Sequence, residues 1–396
     1  MGGTEVKAAA ERNICQTYAR HDLVLVRGSG CRLWDAEGRE YLDFVGGIAV
    51  CNLGHCPADL AEILYRQARQ LVHVSNLYYT EPQVRLAELL TRSCFADKVF
   101  LCNSGAEANE AAIKLARKYS RERCGPGRHG VITMKGSFHG RTLATLSATG
   151  QEKVHHGFEP LVDGFRYVDF NNVEAVAAAV DSTTCAVLVE PIQGEGGVLV
   201  PDRDYLARLR RLCSERDLLL IYDEVQVGMG RTGALFAHEH DGVAPDIMTL
   251  AKALGNGLPI GAMLAANRVA GAFTPGSHAS TFGGTPLVTA VACEVLKRIS
   301  EPAFLARVRA VGAYFREQLE VLQRRYPLVR EVRGRGLILG MELEVPGKDV
   351  VRRCQELGFL INCTVDRVLR FVPPLIVTEG EIDRLVKALD TVFSEM

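Results

Sequence analysis

No stretch of the 396-residue chain approaches the roughly 18 consecutive apolar residues that a membrane-crossing helix requires, so no span is expected. The N-terminus, Met-Gly-Gly-Thr-Glu-Val-Lys, has no apolar core and does not read as a secretory signal. Gly2 invites comparison with a myristoylation signal, but the position that wants Ser or Thr holds Val6. An excess of one charge is also lacking. The 46 Lys and Arg stand against 47 Asp and Glu, for a formal net charge of -1. A nucleic-acid or membrane-surface protein would want a basic face, so neither class is expected. No phosphate loop of the G-x-x-x-x-G-K-[ST] type is present. No two of the twelve cysteines have C-x-x-C spacing, which argues against zinc and iron–sulfur frameworks. Most of the cysteines, Cys185 and Cys213 among them, read as small buried hydrophobes in a reducing, cytoplasmic setting. His238-Glu239-His240 is too short and isolated to hold a metal and reads as a solvated turn.

What remains is an ordinary globular composition, 47% hydrophobic and 23% charged, on a chain long enough for two domains. From about residue 95 to 265, short apolar runs alternate with amphipathic stretches. The runs include Val99–Cys102, Val131–Met134, Ala186–Val189 and Leu218–Tyr222. Between the first two, positions 108, 111, 112, 115, 116 and 119 are apolar or small, which is helical spacing. Such alternation predicts an α/β fold with a mostly parallel sheet between helices. Residues 23–45 read as a hairpin with a turn at Glu37-Gly38. A long helical stretch runs from about 286 through Arg325, then short strands around Leu337–Glu342 and Leu369–Phe371, then a final helix Glu379–Ser394. The expected division is a large domain over 56–290 and a smaller α+β domain built from 1–55 and 291–396.

Three motifs carry chemistry. Asn103-Ser104-Gly105-Ala106-Glu107 follows an apolar run and opens a helix, with Ser104 and Glu107 at capping-box spacing. Helix-start N–H groups and a glycine suit an anion, although a plain helix cap uses the same residues. Asp223 ends the apolar run Leu218–Tyr222 and so stands at the carboxyl edge of the sheet, where ligands of α/β folds bind. Lys252 follows a further apolar run and precedes Gly255 and Gly257. Desolvated there, its amine would titrate low and form imines; alone, it could equally reach out to water. A phosphate cradle, a carboxylate and a lysine at one sheet edge are together what pyridoxal phosphate needs.

Eight motifs then appear in family order: SGAEANEAAIKLAR, FHGRT, EPIQGEGG, DEVQVGMGRTG, APDIMTLAKALGNGLPIGA, HASTFGGTP, RGRGLILG and LRFVPPL. On these the chain resembles the class III (ω-) aminotransferases of the fold-type-I pyridoxal-phosphate superfamily, most closely the branch acting on N2-acetyl-L-ornithine. The resemblance implies that Ser104, Gly105 and Ala106 hold the phosphate, with Thr281 reaching it from the other subunit of a homodimer. It implies Phe138 and Val225 on the two ring faces, Asp223 on the ring nitrogen and Gln226 on the phenolic oxygen. It gives Lys252 the cofactor aldehyde and the proton transfer. Arg141 and Ser280 would contact substrate. Arg370 would take the α-carboxylate of glutamate or 2-oxoglutarate, and Glu195 would pair with Arg370 when that carboxylate is absent. The implied reaction passes the δ-amino group of N2-acetylornithine to 2-oxoglutarate, giving N-acetyl-L-glutamate 5-semialdehyde and glutamate, in arginine biosynthesis.

The sequence departs from the family pattern at Ala106, where Thr is common, and at Thr285, where Asn is usual. Ile48 stands where ornithine δ-aminotransferases resemble one another in carrying tyrosine, which leans away from free ornithine. Relatives acting on ornithine, 4-aminobutyrate, succinyl-diaminopimelate or a carrier-bound lysine precursor remain the alternatives. A nicotinamide dehydrogenase is the rival from another class. Gly228, Gly230 and Gly233 fit G-x-G-x-x-G, but the motif does not directly follow a strand and no clear helix follows it. A non-catalytic scaffold would be expected to lack Lys252, Asp223 or Thr281, and all three are present.

Overall fold

A computed structural model describes residues 2–396. Three strands open the fold: β1 (Leu25–Ser29), β2 (Arg32–Asp35) and β3 (Glu40–Asp43). Next come β4 (Lys98–Cys102), β5 (Gly130–Met134), β6 (Phe165–Val168), β7 (Thr184–Val189), β8 (Leu219–Asp223), β9 (Ile247–Leu250) and β10 (Gly261–Ala265). The last are β11 (Val329–Arg335), β12 (Ile338–Leu343), β13 (Phe359–Leu360), β14 (Asn362–Thr364) and β15 (Val368–Phe371). They form a seven-stranded sheet of order β4-β10-β9-β8-β7-β5-β6 and two four-stranded sheets, β1-β2-β3-β13 and β11-β12-β15-β14.

The large sheet is parallel from β9 through β6. Only β10 runs against its neighbours, pairing antiparallel with both β4 and β9. Hence β4, β5, β6, β7, β8 and β9 all point their carboxyl ends to one edge. Strands covered on both faces must be apolar throughout, and every residue of β5, β7, β8 and β9 is buried. Alternation divides the faces. Ala186, Leu188 and Ile221 pack with Ala111, Ala112 and Leu115 of the helix Gly105–Cys124. Val187, Leu220 and Tyr222 pack with Leu206, Leu209 and Cys213 of the helix Tyr205–Glu215. The small side chains Ala108, Ala111, Ala112 and Ala116 let the first of these helices lie close on the sheet.

A second core joins the chain ends. Leu42 and Phe44 pack with residues from Val308 to Phe393. Phe315 sits at its middle, edge-on to Phe44 at 5.7 Å and to Phe371 at 5.4 Å. Two expectations change. The helical stretch from 286 is two helices, Pro286–Ile299 and Pro302–Arg325. Proline lacks the N–H that would continue the first helix, so Pro302 starts a new one. His238 is not solvated: it is buried, and its imidazole pairs with Glu224 at 2.8 Å. Of the cysteines, six are buried, three half-buried and three exposed, so burial accounts for half of them.

Replacing Phe315 by alanine leaves a cavity between the rings of Phe44 and Phe371. Phe315→Ala should cost about 3–5 kcal/mol and visibly lower the thermal midpoint of unfolding. An unchanged midpoint would contradict the packing described.

Candidate active site

The carboxyl edge of the large sheet meets a cavity of about 440 Å³. Its walls come from the segments that follow β4, β5, β7, β8 and β9. Ser104, Phe138, Glu190, Asp223, Val225 and Lys252 all line it. The turn after β4 starts the helix Gly105–Cys124, and the Ser104 hydroxyl accepts the Glu107 N–H at 3.2 Å. The expected box is shifted by one residue, because the Glu107 carboxylate takes the Asn103 N–H at 2.5 Å rather than that of Ser104. The N–H groups of Gly105 and Ala106 belong to the first turn and have no intrahelical acceptor. Gly105 is required: a Cβ there would meet Val225 Cγ1 at 2.7 Å.

Asp223, the last residue of β8, is buried and densely held. Its Oδ2 accepts from Asn109 Nδ2 at 2.7 Å and from His139 Nδ1 at 2.8 Å. A carboxylate only accepts, so Nδ1 carries the imidazole proton. Asp223 Oδ1 accepts only the Val225 N–H, at 3.0 Å. Asn109 is fixed in turn by the Thr249 hydroxyl at 2.8 Å. Glu190 follows β7, and its carboxylate receives the N–H of Phe138 at 3.1 Å and of Gly194 at 3.3 Å. Burial, and then the nearby Asp223 charge, push the Glu190 carboxyl well above the usual range.

Lys252 has a left-handed backbone, φ 47°, which is strained for a residue with a Cβ and typical of functional positions. Among the described residues its amine has neither a hydrogen-bond nor an ion-pair partner. Burial lowers its pKa to about 8, against the opposing pull of Glu195 and with the help of Arg370. Arg370, near enough to Lys252 to act on its charge, is 1% exposed and holds Glu195 through Nη1 at 2.5 Å. Gln226 bridges the pair, accepting from Arg370 at 3.1 Å and donating to Glu195 at 3.3 Å. Burial raises the Glu195 pKa, but the charge and hydrogen bond of Arg370, the Lys252 charge and the Gln226 hydrogen bond together outweigh it, and the net shift is downward. Arg141 is exposed at the mouth, its guanidinium carbon 5.5 Å from the Phe138 ring centre.

Two residues lie elsewhere. The Ser280 hydroxyl reaches the edge of the site by accepting from Asn103 Nδ2 at 3.2 Å. Thr281 is exposed in a separate groove with Leu77, Tyr79 and Gln83, outside the cavity of its own chain. His139, Asn109 and Glu190 had no expected role. Two of them carry a signal in the chain: Glu190 is a strand-end acid like Asp223, and Asn109 is a polar residue on the buried side of a helix.

The aminotransferase class-III family model matches residues 15–393. The chain belongs to the class-III aminotransferases. It is 52% identical to the acetylornithine aminotransferase of Caldanaerobacter subterraneus subsp. tengcongensis, over 98% of both chains. Its fold superposes with a TM-score of 0.96 on the ornithine aminotransferase of Toxoplasma gondii ME49, 36% identical and covering 100% of this chain and 97% of that one. For the N-acetylornithine aminotransferase of Stenotrophomonas maltophilia K279a the TM-score is 0.84 and the identity 40%, over 98% of this chain and 100% of that one.

The cofactor of this class is pyridoxal phosphate, and the class-III site here fits it. The unshared N–H groups beside Gly105 suit a phosphate. The buried Asp223 has a lightly used oxygen on the cavity wall. Lys252 offers an unpaired amine to an aldehyde.

In cofactor-free protein, the amine of Lys252 should react with an acylating reagent with a midpoint near pH 8, since only the neutral amine reacts. Reactivity is lost as pH falls below that value. Peptide mapping of the labelled lysine across pH reads it, and a midpoint near 10.5 would mean that burial does not set its charge.

Proposed function

We propose that this aminotransferase moves the δ-amino group of N2-acetyl-L-ornithine to 2-oxoglutarate, in two half-reactions on one site. Pyridoxal phosphate, when bound, supplies the aldehyde that takes the amine and a protonated ring that accepts the electrons of the broken substrate C–H bond. The chain does the rest. Ser104, Gly105 and Ala106 would hold the phosphate, and Phe138 and Val225 would enclose the ring. Asp223, itself fixed by His139 and Asn109, would keep the ring nitrogen protonated, and Gln226 is within the set that would face the phenolic oxygen. Lys252, with a pKa of about 8, can lose and regain a proton near neutral pH, as transfer to and from the substrate carbon requires.

The observation that carries the reading is the Glu195–Arg370 pair beside Lys252. A site that takes a terminal amine must not present a bare arginine to it. A site that then takes glutamate must present one. With Glu195 in place the charge is covered. With Glu195 withdrawn, Arg370 offers a two-pronged contact to an α-carboxylate. Arg141, exposed and without an ion-pair partner among the described residues, would take the carboxylate of the acetylated amine donor, with Ser280 beside it. The 52% identity to an acetylornithine aminotransferase supports this donor. So does Ile48, which stands 41% exposed two residues before the cavity-lining Val50.

The same reading calls for a homodimer in the cytoplasm. Thr281 would complete the phosphate site of the opposite subunit, and the exposed Leu77, Tyr79 and Phe282 around it are the kind of surface a second copy covers.

The test is a panel of kcat/KM values for N2-acetylornithine, ornithine, 4-aminobutyrate and succinyl-diaminopimelate, each with 2-oxoglutarate. Acetylornithine should lead. A clear preference for ornithine or 4-aminobutyrate would overturn the donor assignment while leaving the class unchanged.

A further inference from the structure

Arg370 has a partner that its exchange with Glu195 does not use. The Nη1 edge of its guanidinium faces Glu195 and Gln226. The other edge faces Asn362. In the antiparallel pairing of β14 with β15, Asn362 stands directly opposite Arg370. With the amide oriented so that both its ends are satisfied, Asn362 Oδ1 accepts from Arg370 Nη2 at 2.7 Å and its Nδ2 donates to the Arg370 carbonyl at 3.1 Å. One side chain therefore holds both the backbone and the guanidinium of the same arginine. It does so from outside the catalytic cavity, since Asn362 lines a different hollow with Lys348, Asp349 and Cys363.

We propose that Asn362 is a positioning residue that anchors Arg370, so that Glu195 can leave and a substrate carboxylate can take its place without the guanidinium moving. This rests on the Glu195–Arg370 exchange proposed above. A long side chain freed of its counter-ion gains rotamer freedom, and a substrate would have to remove that freedom again on binding. A contact on the edge that Glu195 does not use keeps the fork aimed throughout. The chemistry of the contact matters as well. A neutral amide orients the cation without cancelling its charge, whereas a carboxylate at the same place would be a permanent counter-ion and would compete with the substrate. Gln226 cannot replace the anchor, because it shares Nη1 with Glu195 and so belongs to the edge that changes partners. The anchor accordingly serves the glutamate/2-oxoglutarate half-reaction and is idle while Glu195 covers Arg370.

The test compares holoenzymes of Asn362→Ala, Asn362→Asp and Arg370→Ala with the parent. The dissociation constant of glutarate, an unreactive dicarboxylate, is read from the absorbance of the bound cofactor. Each half-reaction is followed by single turnover, and thermal unfolding checks the fold. Asn362→Ala should weaken glutarate and raise the 2-oxoglutarate KM by about ten-fold, the loss of one hydrogen bond to a charged group, and leave the acetylornithine half within about two-fold. Asn362→Asp, nearly the same shape, should lose at least as much in the same half only. If both Asn362 variants match the parent while Arg370→Ala is selectively impaired with 2-oxoglutarate, the anchor is wrong and the proposed function stands. Equal losses in both halves for the Asn362 variants would mark a merely structural contact and overturn it. Equal losses in both halves for Arg370→Ala would remove the exchange itself, and the anchor with it.

Discussion

An amine surrounded by carboxylates ordinarily becomes an ammonium ion and stays paired. Lys252 feels the charges of Glu195, Asp223 and Glu190, yet it has no partner among them. The reason is that each carboxylate is already engaged. Glu195 is held by Arg370 at 2.5 Å. Asp223 is held by His139, Asn109 and the Val225 N–H. Glu190 is capped by two backbone N–H groups, and its own burial disfavours its charge. With those attractions spent elsewhere, desolvation decides, and the lysine titrates near 8. A free, titratable amine is thus a property of the whole cluster and not of Lys252 alone.

The sheet makes that cluster possible. Five segments reach the cavity because β4, β5, β7, β8 and β9 end at one edge, and β10 lies between β4 and β9 without disturbing their direction. Arg370 comes from a different sheet, on β15. The Glu195–Arg370 contact therefore also joins the large sheet to the four-stranded sheet whose core holds Phe315 and Phe371.

Much of this was legible from the chain alone. Apolar runs alternating with amphipathic stretches announced the parallel strands, and Asp223 and Lys252 stood out because each follows such a run. The final helix, Glu379–Ser394, was legible too, and the structure closes its start with a capping box of Thr378 and Glu381. What was not legible depends on long-range pairing. No local rule brings His139 to Asp223 or Asn362 to Arg370, because those contacts exist only once strands are in register. The burial of His238 is hidden for the same reason: its partner Glu224 lies 14 residues away across a turn. The break at Pro302 is legible in the chain, since a proline inside a helical pattern is itself a boundary signal.

The most direct measurement concerns Lys252→Ala. The purified variant should still bind pyridoxal phosphate, through the Ser104–Ala106 turn and Asp223, but lose it on dialysis and show no transamination in either half-reaction. Turnover at the parent rate would contradict the role given to this lysine and to the cluster that keeps it free.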